Sequence, residues 1–197
     1  MEKPAPTQHP IHELLSRRWS PRAFDTRPVE SDKLASLFEA ARWAPSSNNE
    51  QPWRFIVGRQ GAPGAYDRLF ACLMAGNQKW AHRAPVLLLS VAKLTFDDGA
   101  PNRHAYHDVG LAAENLVLQA TALGLASHQM AGYHVDKVRA EFGIPAEFDP
   151  VAMIAIGYPG DPADLDERLR QREMKPRERS PIAEFVFGEQ WGRAATW

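Results

Sequence analysis

Ala44-Pro45-Ser46-Ser47-Asn48-Asn49-Glu50-Gln51-Pro52-Trp53 separates a helical pattern from a strand pattern, and the rest of the chain is read outward from it. Residues 44–52 are dense in turn formers and form a loop. Before the loop, Ser31 can cap a helix running to about Trp43, with Leu34, Leu37, Phe38 and Ala41 spaced as one apolar stripe. After it, Trp53 to Val57 reads as a strand ended by Gly58. Two prolines hold the loop backbone, while Ser46, Ser47, Asn49 and Gln51 offer donors and acceptors together. That set suits the edge of a planar heterocycle with carbonyl and imine groups. A plain connecting loop has the same composition.

Toward the N-terminus, Ile11 to Arg17 reads as a short helix entered at Pro10. Toward the C-terminus, Gly64 to Met74 reads as a helix and 93–103 as a polar loop. Pro85 to Ala92 is a near-continuous apolar run, as in a strand buried on both faces. The longest helix covers Ala105 to Leu123 and ends at Gly124. Its stripe contains Val109, Ala112, Ala113, Leu116, Val117, Ala120 and Leu123, with Leu111 and Leu118 off it. A helix apolar on more than one side is buried on more than one side, and the second side is expected to meet another subunit. A strand over Ala126–Met130, a helix over Val135–Phe142 and a strand over Val151–Ile156 follow. A charged helix runs from after Pro162 to about Arg172. The tail holds a strand-like Glu184-Phe185-Val186-Phe187, then Trp191 and Trp197, and needs a surface to pack on. Alternating strands and helices give an α/β or α+β class. The expected organisation is one domain over residues 1–197, with a flexible lead at 1–9 and a C-terminal arm at 172–197 lying on the partner of a homodimer.

Composition excludes several functions. There are 23 Lys+Arg against 24 Asp+Glu, a net charge of −1, so there is no basic field for nucleic acid or an anionic membrane. A single cysteine, Cys72, allows no internal disulfide and no CxxC motif; beside Leu69 and Leu73 it reads as a buried, inert thiol. The first residues lack an apolar signal core, and Ala84–Val91 is far below the roughly 20 apolar residues of a membrane span. The expectation is a cytoplasmic protein.

Four segments could carry chemistry. Arg17-Arg18-Trp19-Ser20-Pro21-Arg22-Ala23-Phe24 gathers guanidinium forks and a hydroxyl suited to phosphate oxygens; a solvated basic turn would look alike. The loop at Pro45 is the second. Gln129-Met130-Ala131-Gly132 ends a strand in small residues that let backbone N–H groups approach a ligand, although glycine there also suits a plain turn. Arg177-Glu178-Arg179-Ser180-Pro181 is a second basic cluster, and two such clusters in a nearly neutral chain point to one shared anion. The histidines offer a rival: His104 and His107 share a helical turn, and His128 and His134 lie near a strand end. With no HExxH and no third ligand at a set spacing, no metal is expected, and His107 and Asp108 read as hydrogen-bonding groups at a helix start. No serine has a GxSxG context, and glycine-rich phosphate loops are absent.

Taken in order, these segments resemble the nitroreductase family of FMN-dependent oxidoreductases. The matching elements are Arg17–Phe24, Ala44–Trp53, Ala84–Val91, His107–Gly110, Gly124–Leu125, Ile154–Pro159 and Arg177–Pro181, spread over about residues 11–192. The resemblance implies an α+β sandwich, with a central mostly antiparallel sheet flanked by helices, built as an intertwined homodimer with FMN at the interface. It implies that Arg18, Ser20 and Arg22 bind the FMN phosphate and ribityl chain, with Trp19 in the same turn where relatives carry a smaller polar residue. Arg179, with Arg177, would close on the phosphate. Pro45, Ser46, Ser47 and Asn49 would reach the flavin from the other subunit, and Asn77 would lie near the pyrimidine end. Met130, Ala131 and Gly132 would lie against the ring, with a backbone N–H reaching N5. The implied activity is hydride transfer from NADH or NADPH through flavin N5 to nitroaromatic, quinone or related small-molecule acceptors in a ping-pong cycle, with no side chain required as acid or base. Other uses of the scaffold are flavin destruction, enone reduction and dehalogenation. A flavin-binding sensor or storage module without turnover is the alternative from outside the enzyme class.

Overall fold

The apolar run at residue 86 forms the middle of the sheet in the computed structural model, which describes residues 1–196. Strand β3 (Val86–Lys93) is buried from Val86 through Ala92. Because side chains alternate across a strand, Leu87, Leu89 and Val91 enter one apolar cluster and Val86, Leu88 and Ala92 the other. The neighbouring β5 (Phe148–Pro159) divides likewise: Met153 and Ala155 face one side, Ile154 and Ile156 the other. Both faces therefore need a helical cover.

Helices α2 (Ser31–Arg42) and α5 (Ala105–Ala122) cover one face, delivering Leu34, Leu37, Val109, Leu116 and Val117. The other face takes α3 (Ala65–Cys72), α4 (Ala75–Ala81), α6 (Val135–Phe142) and α7 (Glu167–Met174), which contribute Leu69, Trp80, Val138 and Leu169. A short α1 (Glu13–Arg17) precedes them. The sheet is completed by β1 (Phe24–Asp25), β2 (Trp53–Arg59) and β4 (Ala126–Met130). Its strand order is β1-β5-β3-β2, with β4 also on β5, and every pairing is antiparallel. The class is α+β. No helix among the described residues is long and apolar enough to cross a membrane.

Several expected elements change. The helix expected to reach Met74 stops at Cys72, because Leu73 bridges to Tyr133 and Met74 N–H donates to Gly132 O at 3.0 Å. That extended link separates α3 from α4, which sequence patterning left unassigned. Ser31 does not cap α2: Glu30 holds the cap position without a side-chain bond, and Ser31 Oγ accepts from Arg59 Nη1 at 3.0 Å. β5 extends beyond Val151–Ile156 because its length serves β3, β4 and β1 in turn. The strand-like segment at Glu184–Phe187 is not a strand. Ile182–Glu184 is one turn of 3-10 helix, Phe187 bridges only Ala194, and Trp191 is 92% exposed. Trp197, the last aromatic residue assigned to that tail, lies outside the described residues. Leu111 and Leu118 on α5 are half-buried.

The N-terminal lead, expected to be loose, is hydrogen-bonded to both ends of the chain. Ala5 N–H donates to Ser16 O at 2.9 Å. Lys3 Nζ donates to Glu173 O at 2.6 Å and Lys175 O at 2.5 Å, a cation on the last carbonyls of α7.

Candidate functional site

The basic turn between α1 and β1 is held from two sides. From β4, His128 Nδ1 lies 2.9 Å from Pro21 O, an acceptor that places the ring proton on Nδ1. The ring packs on Trp80 at 4.6 Å between centroids, and burial lowers its pKa to about 4, so it is neutral at pH 7. From α7, Glu173 Oε1 accepts the N–H groups of Arg22 at 2.7 Å and Ala23 at 3.1 Å. Glu173 Oε2 is buried without a hydrogen-bond partner and stands 3.8 Å from Arg22 Nη1. Arg22 is half-buried, and burial pulls its pKa down against the opposing pull of Glu173.

Around this turn the cations converge. Arg18 Nη1 reaches Ser20 Oγ at 3.4 Å, a long bond. Arg177 Nη1 donates to Lys3 O and Ser16 O, each at 2.7 Å. Its pKa is lowered first by burial and then by the charges of Arg18 and Arg179, so the three guanidiniums share one field. Trp19 lies under Lys3, whose ammonium is 4.8 Å from the ring centroid. A cavity of about 130 Å³ opens here, lined in part by Lys3, Arg17, Arg18, Trp19 and Gly124. The structure thus brings Arg177 and Arg179 to Arg18, whose guanidinium reaches Ser20, while Arg22 further along the same turn faces Glu173. Such a set fits an anion with several oxygens.

β4 continues from this turn to the second part of the site. Met130 is buried, and beyond it Ala131 is exposed. Gly132 O accepts from both Met74 N–H and Asn77 Nδ2, each at 3.0 Å. A Cβ at Gly132 would stand 2.7 Å from Asn77 Nδ2, so glycine is what allows this close approach. Asn77 and the Met130–Gly132 segment, distant in sequence, are one structural unit.

The Pro45 loop is the third part. Asn48, Asn49 and Gln51 have φ of 51°, 58° and 49°, all left-handed. Asparagine tolerates this region, glutamine less so, and each such residue costs about 1–2 kcal/mol. Strained backbone of this kind clusters at ligand sites. The loop is held by Asp108 of α5, 2% exposed, whose Oδ2 accepts Ser47 N–H at 3.1 Å. Within the loop, Ser46 Oγ accepts Gln51 N–H and Ser46 O accepts Asn49 N–H, both at 3.1 Å. Pro45 and Asn49 are exposed, and among the described residues no hydrogen bond or ion pair joins this loop to the basic turn. Trp43 beside it is 73% exposed.

Sequence patterning missed Glu173 and gave His128 and Lys3 no role in the turn. Glu173 falls just past the expected end of the charged helix at about Arg172, whereas α7 runs on to Met174. Its signal was the spacing from Leu169, since these i, i+4 residues are the two buried side chains of α7. Among the described residues, no group of three His, Cys, Asp or Glu side chains is placed to hold a metal ion.

The family model described as the nitroreductase family matches residues 15–158. A relative from Mycolicibacterium smegmatis, an uncharacterized 15.4 kDa protein, is 37% identical over 146 residues, covering 71% of this chain and 97% of its own. A relative from Archaeoglobus fulgidus bears the name "Putative NADH dehydrogenase/NAD(P)H nitroreductase" and is 28% identical over 162 residues, covering 78% of this chain and 88% of its own. A solved structure described as an oxidoreductase containing FMN superposes with a TM-score of 0.90 at 35% identity, over 95% of this chain and 96% of its own. The sandwich, the convergent arginines, the strained serine–asparagine loop and these likenesses agree: the chain belongs to the nitroreductase family.

Proposed function

We propose that this chain is an FMN-dependent oxidoreductase that uses NADH or NADPH to reduce nitroaromatic, quinone or related acceptors in a ping-pong cycle, and that it works as a homodimer. The observation that carries the proposal is the convergence of Arg18, Arg177 and Arg179, cations from distant parts of the sequence in one field, with Arg22 in the same turn as Arg18. A phosphate dianion answers that field. The names of the relatives and the FMN of the solved neighbour supply the rest of the cofactor.

The residues present fit FMN. Arg18, Ser20, Arg22, Arg177 and Arg179 would hold the phosphate end, with Trp19 as an apolar wall. Bound there, FMN would supply hydride chemistry at its N5 atom. Met130, Ala131 and Gly132 would offer backbone at the ring, with Asn77 fixing Gly132 from behind through its 3.0 Å bond. The Pro45–Asn49 loop of a second subunit would edge the ring, which explains why this loop is built rigidly and left exposed in one chain. No side-chain acid or base is needed for hydride delivery, and none of these residues takes that role.

The test is the absorption spectrum of the purified protein, followed by steady-state oxidation of NADH and NADPH with a quinone and a nitroaromatic. Flavin bands with turnover support the proposal. Absence of flavin binding after FMN addition refutes it. A yellow protein that turns over no acceptor leaves a binding module instead.

A further inference from the structure

Glu173 is 1% exposed on a helix whose other charged residues face water. A carboxylate out of water is costly unless its oxygens are answered. One oxygen is answered twice, by the N–H groups of Arg22 and Ala23. The other is buried, makes no hydrogen bond, and faces Arg22 Nη1 at 3.8 Å, beyond hydrogen-bond reach. A group that served only to anchor α7 could be a neutral amide, with no unanswered oxygen aimed at a cation. On the other side of the same turn, His128 holds Pro21 O at 2.9 Å, so residues 21–23 are fixed from both sides.

We propose that Glu173 is a positioning residue of the phosphate site. It fixes the Arg22 backbone and restrains the guanidinium by charge alone, leaving its donors for the ligand. This rests on the FMN reading above. The cost is a negative charge near a dianion, which the intervening guanidinium screens. The gain is that the turn is ordered before the ligand arrives, so less ordering is charged to binding.

The experiment titrates FMN and riboflavin into the flavin-free wild type, Glu173→Gln, Arg22→Ala and the double variant, following quenching of flavin fluorescence. Gln keeps Oε1 for the two backbone bonds but turns an NH₂ toward the guanidinium. Glu173→Gln is expected to weaken FMN about three- to tenfold, with riboflavin changed less than about twofold. In the Arg22→Ala background the same change should alter FMN by less than about twofold, because its target is gone. Equal losses for both flavins would overturn the assignment in favour of general support of the fold. So would losses additive with Arg22→Ala, or FMN binding that is unchanged or tighter. A wild type that does not prefer FMN over riboflavin would overturn the phosphate site and this assignment together. If Glu173→Gln does not fold, Glu173→Asp gives the same decision: a loss confined to FMN supports the assignment, an unselective loss overturns it.

Discussion

Lowering the pH should strip stability from the flavin-free protein through His128. Burial lowers its pKa from 6.5 to about 4. The unfolded chain therefore takes up this proton near pH 6.5, and the folded chain only near pH 4. The sign follows: the contribution of the neutral ring is fully present above pH 6.5 and is lost as pH falls from 6.5 to about 4. At about 1.4 kcal/mol per pH unit, that window spans about 3 kcal/mol, trimmed to about 2–3 kcal/mol because the ring edge meets water. For a chain of this size each kcal/mol moves Tm by about 2–4 °C. Urea and thermal unfolding of wild type and His128→Gln, from pH 4.5 to 8, read it directly. Wild type should lose about 2 kcal/mol more than the variant between pH 7 and pH 4.5, and the ring's NMR titration should fall below pH 5. Parallel stability profiles, or a ring titrating near 6.5, would refute the claim that burial keeps His128 neutral while it holds the basic turn.

Other outcomes are expected. Arg22→Ala should weaken FMN about ten- to a hundredfold and leave riboflavin nearly unchanged, by the strength of a charge-assisted bond, as read by titration of the flavin-free forms. Gly160→Ala should cost about 1–3 kcal/mol in urea unfolding, because the new Cβ would lie 2.5 Å from the Phe24 backbone. Asp108→Ala should cost about 1–3 kcal/mol by the same measurement and weaken flavin binding, since it leaves Ser47 N–H without its 3.1 Å acceptor. Sedimentation should show a dimer at micromolar concentration; a stable folded monomer would remove the second-subunit role of the Pro45 loop.

Elements whose signal is local were legible in the sequence. β4 at Ala126–Met130 and α6 at Val135–Phe142 fall at their expected bounds, and β3 matches its apolar run within a residue. Departures occur where distant partners decide. Nothing near Leu73 announces its bridge to Tyr133, so the break between α3 and α4 was invisible. The tail's alternating Phe185 and Phe187 imitate a strand, but no neighbouring strand accepts them. In the site, residue types were legible and conformations were not. Asn48 and Asn49 suggest left-handed backbone, whereas Gln51 gives no hint of it. Glu173 stayed hidden because its helix is charged nearly throughout, and only the fold turns that one carboxylate inward.

The fastening of Lys3 and Arg177 bears on when the site comes into being. Lys3 Nζ rests on the carbonyls of Glu173 and Lys175, and Arg177 reaches back to Lys3 O and Ser16 O. A nascent chain long enough to have folded its sheet still lacks the carboxylate beneath Arg22 and the arginines beyond α7. Its basic turn is then held from the His128 side alone, and its like charges lack the carboxylate that faces them. Anion capture therefore waits until residues 173–179 have been made and dock against residues 3–22, and a chain that stops short of them has little hold on an anion.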